Sequence, residues 1–312
     1  MMGKVAFVFP GQGSQYIGMG RELWEAFPVV KETFAEAQEV LGFDIRGLCF
    51  EGPEEELKLT ENTQPAVFVV TVAVWRVIHQ LGVRPDYVAG HSLGEYSALV
   101  AAGGLSFGDG LRVVRMRGRF MQEACPPGEG GMAAVIGFSR EGVKELCQRA
   151  AQGEVLVPAN FNSPEQVVIS GHLGAVQRAV ALAKGMGARR AVVLQVSGPF
   201  HSPLMEPAAR RLKEVLATLE MKDLSIPLVT NVEAEPNTSA SRAKDLLVAQ
   251  ISSPVLWEDS VRRMVALGVD TFVEVGPGRV LSGLIRRTEP AARVLNVEDL
   301  KGLERLKEVL RV

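Results

Sequence analysis

The sequence predicts an α/β protein: a parallel sheet covered by helices and interrupted by a small inserted domain. Three observations carry that expectation. Strand-like and helix-like segments alternate through residues 1–125, as parallel strands joined by crossover helices require. Gly90-His91-Ser92-Leu93-Gly94 places a Gly-x-Ser-x-Gly turn between a short apolar strand and a helix. Residues 128–197 read β-α-β-β-α-β, the order of a ferredoxin-like split βαβ.

The elements follow in order. Residues 5–9 form a buried first strand, too short for a signal-peptide core. Residues 21–41 read mostly as helix, and the Val-rich run 66–81 as a buried helix, with strand as its alternative. The apolar part of that run is about half a membrane span, so no membrane segment is expected. A strand at 87–90, a helix at 95–102 ended by Gly103-Gly104, and a Ser106-capped helix to about 124 come next. Pro126-Pro127-Gly128-Glu129-Gly130-Gly131 breaks the pattern as a linker. The insertion holds a strand at 132–138, a Ser139-capped helix to 150, strands at 155–157 and 166–170 around an Asn-Ser-Pro turn, a helix at 173–185 and a strand at 191–196. The α/β pattern then resumes with helix 204–219, strand 228–230, helices 244–250 and 258–267, strand 271–274 and helix 279–287. The expected domains are 1–127 joined with 198–312, and the insertion 128–197.

The 312 residues suffice for one large core with an insertion, and 47% of them are apolar. A formal net charge of −2 excludes a protein built to bind nucleic acid. Cys49, Cys125 and Cys147 are odd in number and lack metal spacing, so reduced thiols in a cytoplasm are expected.

The Gly-x-Ser-x-Gly turn is a nucleophile elbow if Ser92 sits at a helix N-terminus, where free N–H groups favour negative charge. The plain alternative is a Gly-Ser turn. A second glycine-rich loop, Phe9-Pro10-Gly11-Gln12-Gly13-Ser14-Gln15, follows the first strand. It is no Walker A loop, since Met19 follows Gly18, and no dinucleotide fingerprint, since the sixth position from Gly11 is Tyr16. It is either an ordinary strand–helix turn or a place where Gln12 points an N–H at a ligand.

Only four histidines are available as a base. His91 neighbours Ser92 in a tight turn and points away; His79 reads as surface and His172 as a cap. His201 sits in Gly198-Pro199-Phe200-His201-Ser202-Pro203, a proline-stiffened hinge between domains, and is the preferred base. No carboxylate between Ser92 and His201 reads as a third member. A dyad oriented by a backbone or amide carbonyl is therefore expected. Arg117 falls among Val113, Val114, Phe120 and Met121 on its helix, away from Arg112, Arg115 and Arg119. An arginine in an apolar stripe is an internal salt bridge, a snorkelling head, or a clamp for a substrate carboxylate.

Together the motifs resemble the malonyl-CoA:acyl-carrier-protein transacylase family over nearly the whole chain. They are Phe9 to Gln15, Gly90-His91-Ser92-Leu93-Gly94-Glu95, Met116-Arg117-Gly118, Asn160-Phe161-Asn162-Ser163-Pro164, Gly198-Pro199-Phe200-His201 and Val275-Gly276-Pro277-Gly278. The resemblance implies an α/β-hydrolase-like core with a ferredoxin-like insertion. It implies Ser92 as nucleophile, His201 as base, and Gln250 as its orienting group in place of an acid. Gln12 and Leu93 would give oxyanion N–H groups. Arg117 would bind the malonyl carboxylate, with Asn160 and Phe200 beside the substrate. The implied partners are malonyl-CoA and acyl carrier protein, in fatty-acid synthesis, by a ping-pong route through an ester. No metal or bound cofactor is implied, and a monomer is the expected state. A bulky Phe200 before the histidine resembles members taking malonyl rather than methylmalonyl units. The alternatives are a serine hydrolase or thioesterase, and a polyketide-type acyltransferase with another acyl unit.

Overall fold

The computed structural model describes residues 3–311. Two sheets organise it. The first has six strands in the order β10-β9-β1-β2-β7-β8. These are β1 (Lys4–Phe9), β2 (Tyr87–Gly90), β7 (Leu228–Val229), β8 (Pro236–Asn237), β9 (Val269–Val275) and β10 (Arg293–Val297). All neighbours are parallel except β7 and β8. Ala6, Phe7, Val8 and Phe9 are fully buried, as the near-continuous apolar run of a strand covered on both faces demands.

The second sheet comprises β3 (Gly130–Ile136), β4 (Leu156–Ser163), β5 (Gln166–His172) and β6 (Arg190–Val193), in the order β4-β5-β3-β6. Every pairing in it is antiparallel. The Arg140–Ala151 and Leu173–Ala183 helices pack on it over a core of their own. Two ties bind this sheet to the rest. Val255 and β4 exchange backbone hydrogen bonds, from Phe161 N–H to Val255 O and from Val255 N–H to Ala159 O, each at 2.9 Å. Arg140 donates to Glu258 at 2.8 Å and to Asp259 at 2.9 Å.

The differences from the sequence reading have local causes. The expected helix 21–41 is two helices, Arg21–Ala26 and Pro28–Leu41, because Pro28 forces Phe27 into an extended conformation and opens the next helix. The 66–81 run is helix, beginning earlier at Thr60 and ending at Gln80. β4 runs on to Ser163 through a register irregularity, so the expected Asn-Ser-Pro turn shrinks to the residues after it. The short Ile45–Glu51 and Glu54–Lys58 helices, β8, β10 and the Leu300–Leu310 helix were not anticipated. Ser106 and Ser139 cap as expected, their hydroxyls accepting the N–H groups of Asp109 and Gly142.

The Phe107–Glu123 helix must lie close against the Thr60–Gln80 helix, and Gly118 permits it. A Cβ there would sit 2.7 Å from the Thr60 carbonyl oxygen, which is backbone and cannot step aside. Gly108 in the same helix has room, its nearest neighbour being 3.7 Å away. Two Gly→Ala changes in one helix should therefore act with opposite sign. Gly108→Ala should stabilise by up to about 1 kcal/mol through helix propensity. Gly118→Ala should destabilise by about 1–3 kcal/mol through overpacking. Urea unfolding midpoints check this, and equal signs would contradict the packing described.

Candidate active site

The elbow is built by two missing side chains. A Cβ on Gly90 would lie 1.9 Å from the Gly94 carbonyl carbon, and one on Gly94 would lie 2.0 Å from the Phe9 oxygen. Strand β2, neighbouring β1 and the Gly94–Ala101 helix can meet only with glycine at both positions. Between them Ser92 is held at φ +51°, in the left-handed region. Asn231 stabilises that turn. Its Oδ1 accepts the Ser92 N–H at 2.7 Å, and its Nδ2 donates to the Gly90 carbonyl at 2.6 Å.

The Ser92 hydroxyl lies 2.8 Å from His201 Nε2. On the far side of the ring, His201 Nδ1 is 2.7 Å from the Gln250 main-chain carbonyl. A carbonyl can only accept, so Nδ1 carries the proton and Nε2 is left free to accept from Ser92. Burial first, and the nearby Arg117 charge second, push His201 down to about 3. The imidazole is therefore neutral. Its loop also holds a left-handed residue, His201 itself at φ +59°, braced by the Ser202 hydroxyl donating to the Pro199 carbonyl.

Arg117 is 1% exposed, so it is no snorkelling head. Nη1 donates to Gln64 Oε1 at 2.8 Å, and Nη2 donates to Gln250 Oε1 at 2.8 Å and to Ser92 Oγ at 3.0 Å. All three acceptors are neutral, and Nε has no partner among the described residues. It is not the salt bridge that the sequence left open. Burial lowers its pKa, while Tyr96 and Glu95 oppose that shift. A guanidinium so placed can take an anion beside Ser92.

Gln12 follows β1 at the same sheet end, and Gly11 brings it close. A Cβ on Gly11 would lie 2.4 Å from the His91 carbonyl oxygen. Gln12 and Leu93 both line the cavity over Ser92. Neither backbone N–H finds an acceptor among the described residues. The Gln12 side chain itself donates to Thr60 Oγ1 at 3.2 Å, so it is the backbone N–H that is open. Asn160 and Phe200 are buried in the cavity wall.

The other histidines separate cleanly. His91 Nε2 is 2.8 Å from Asn162 Oδ1, turned from the Ser92 hydroxyl, and burial lowers its pKa. His79 is exposed beside Trp75. His172 stands at the N-cap of the Leu173–Ala183 helix, as expected, but its ring makes no cap hydrogen bond; Nδ1 accepts the Val155 N–H at 2.9 Å, and the residue does not line the cavity.

Gln250, the orienting group that the resemblance implies, meets His201 through its main chain rather than its side chain. It is fully buried, and its main-chain carbonyl faces His201 while its amide serves Arg117. Sequence reasoning missed Gln64, Asn231, Asn162 and Glu95. Glu95 is 2% exposed and accepts the Asn231 N–H at 2.8 Å and the Gln250 Nε2–H. Burial pushes it up to about 7 against the pull of those donors and of Arg117. A lone acid in the apolar Gly94–Ala101 helix was the available signal. Among the described residues no helix is long and apolar enough to cross a membrane, and no cluster has the makings of a metal site.

Residues 6–306 match the acyl transferase domain family. The malonyl CoA-acyl carrier protein transacylase of Bacillus subtilis (strain 168) is 48% identical over 311 residues, covering 99% of this chain and 98% of that protein. An acyl carrier protein S-malonyltransferase of Vibrio cholerae superposes with a TM-score of 0.95 at 49% identity, covering 97% of this chain and 100% of the other. A malonyl-transacylase solved with a type II polyketide acyl-carrier protein gives a TM-score of 0.96 at 45% identity, covering 99% of this chain and 100% of that one. With a matching family model across nearly its whole length and relatives this similar, the chain belongs to the malonyl CoA-acyl carrier protein transacylases of the acyl transferase domain family.

Proposed function

We propose that this chain moves the malonyl group from malonyl-CoA to the phosphopantetheine thiol of acyl carrier protein, through a malonyl ester on Ser92. One observation carries the reading. A neutral imidazole at 2.8 Å and a guanidinium with no acid partner at 3.0 Å meet on a single serine oxygen. A hydrolase of neutral esters has no use for that cation, which opposes the lipase and thioesterase alternatives. The reading places the site on an α/β-hydrolase-like core, with the four-stranded sheet as a ferredoxin-like subdomain. The sheet order β4-β5-β3-β6 supports that subdomain. Three free, buried cysteines support a cytoplasmic setting.

In the first half-reaction Ser92 Oγ attacks the thioester carbonyl carbon while His201 Nε2 takes its proton. The charge reaching the carbonyl oxygen is met by the N–H groups of Gln12 and Leu93. The carbon–sulfur bond breaks, His201 returns the proton to the sulfur, and free CoA leaves. In the second half-reaction His201 takes the proton of the carrier thiol, whose sulfur attacks the ester carbon. The ester bond breaks and Ser92 Oγ recovers the proton. Through both steps the malonyl carboxylate stays on Arg117. The Gln250 carbonyl holds the imidazolium that forms midway, doing the work of an acid without adding its charge.

Arg117→Ala should lower malonyl kcat/KM roughly 30- to several-thousand-fold, the worth of a buried charge partner at about 2–5 kcal/mol. Acetyl transfer needs no carboxylate contact and should hold or rise. Arg117→Lys should restore part of the loss, because an ammonium lacks the planar fork. An unchanged malonyl-to-acetyl ratio in folded Arg117→Ala would sink the substrate assignment.

His201 should stay neutral, with its proton on Nδ1, from pH 7.5 to 5. The folded pKa is depressed below the ordinary histidine value near 6.5, so only the unfolded chain takes up a proton there. Nitrogen-15 NMR of the ring reads this directly. A titration midpoint near 6.5 in the folded enzyme would contradict the buried dyad.

A further inference from the structure

We propose that Glu95 positions Arg117 through the side-chain amide of Gln250, and so sets how strongly the site prefers an acyl group bearing a carboxylate. The inference rests on the reading of Arg117 given above. Glu95 touches neither Ser92 Oγ, His201 nor Arg117 by hydrogen bond, and it does not line the cavity. It is a positioning residue, and the reaction steps leave its charge without a use.

The geometry assigns that use. One carboxylate oxygen accepts the Asn231 N–H at 2.8 Å, and the other accepts Gln250 Nε2–H. Both oxygens receive donors, an arrangement that favours the ionised carboxylate over the acid. The same Gln250 Nε2 donates to the Ser92 carbonyl at 3.0 Å. Two acceptors on one side thus fix the sense of the amide, and Oε1 must point the other way, to Arg117 Nη2 at 2.8 Å. A turned amide would set its carbonyl oxygen against the Glu95 carboxylate and the Ser92 carbonyl. It would also set its NH₂ against the guanidinium, losing three favourable contacts at once.

Arg117 is then gripped by two amide oxygens, Gln64 on the Thr60–Gln80 helix and Gln250 at the end of the Ala240–Gln250 helix. A carboxylate placed directly on Arg117 would hold it as firmly but would neutralise it and compete with the substrate. Glu95 acts one residue removed. Its charge orients the amide, the amide holds the cation, and the cation keeps its face for the ligand. A planar bidentate contact is sensitive to such aim, whereas an acetyl group makes no such contact.

The test is Glu95→Gln in the full-length enzyme, reading kcat/KM for malonyl-CoA and for acetyl-CoA. The amide introduced at position 95 has one acceptor oxygen for two donors, so the Gln250 amide loses its lock. The malonyl-to-acetyl ratio should fall roughly 10- to 100-fold, the worth of one hydrogen bond to a charged group. Glu274→Gln is the control for loss of a buried acid. Glu274 holds the N–H groups of Leu281 and Ser282, so its loss should lower stability and leave the ratio in place. Gln250→Met keeps the main-chain carbonyl for His201 but removes the amide, and should lower the ratio as far as Glu95→Gln does. It serves alone if Glu95→Gln fails to fold. Adding Glu95→Gln to Gln250→Met should cause no further fall, because both act on one contact. A wild-type ratio in folded Glu95→Gln or in Gln250→Met, or independent falls in the double variant, would overturn the proposal. Arg117→Ala separates the two readings: a collapsed ratio there with an intact ratio in Glu95→Gln leaves the carboxylate reader standing and removes only the role of Glu95.

Discussion

A positive charge buried with no acid touching it is the constraint on which this site depends. Arg117 is held by two glutamine amides and a serine hydroxyl, all neutral. Burying an uncompensated charge is costly, and the surrounding structure carries that cost in common. The glycine at 118 lets the Arg117 helix approach the helix bearing Gln64. The Ala240–Gln250 helix ends where its last residue serves two masters, with a main-chain carbonyl for His201 and an amide for Arg117. The Glu95 carboxylate is kept one amide away. The same charge contributes to holding the imidazole neutral, so the proposed reader of the substrate also readies the proposed base.

The sheet supplies the second requirement, which is aim. β1 and β2 lie side by side and parallel, with Phe9 opposite Gly90, so the loops that follow them emerge together at their carboxyl ends. One loop carries Gln12 and the other Ser92 and Leu93. Glycines at 11, 90 and 94 remove every Cβ that would hold the loops apart. Asn231, just beyond β7, reaches across to brace the left-handed serine. The four-stranded sheet closes the other side of the cavity and is tied down by the Val255 bridge and the Arg140 ion pairs.

The elbow was legible in the sequence because a strand, a sharp turn and a helix leave a local pattern of residue types. Arg117 was legible because helical spacing puts a costly group in an apolar stripe. His201 could be found by elimination among four histidines and by the prolines around it. What orients His201 was not legible. Every residue has a main-chain carbonyl, and only the folded chain selects that of Gln250. Gln64, Asn231 and Glu95 come from three separate elements, and no spacing rule joins them. Glu95 sits in a helix too short and too fully buried to show a polar face. The division of the 21–41 helix was readable from Pro28, but apolar periodicity on both sides of it outweighed that signal. The short helices at 45–58 lack a sustained apolar stripe and escaped notice.

In the proposed reaction one serine oxygen carries the acyl group between two thiols. Brief incubation with malonyl-CoA, followed by digestion and mass spectrometry, tests it most directly. One malonyl group is expected, on the peptide containing Ser92, and it should move to the carrier thiol when phosphopantetheinylated acyl carrier protein is added. Malonyl appearing on the carrier with no prior adduct on Ser92, or an adduct released to water as malonate while carrier thiol is present, would contradict it.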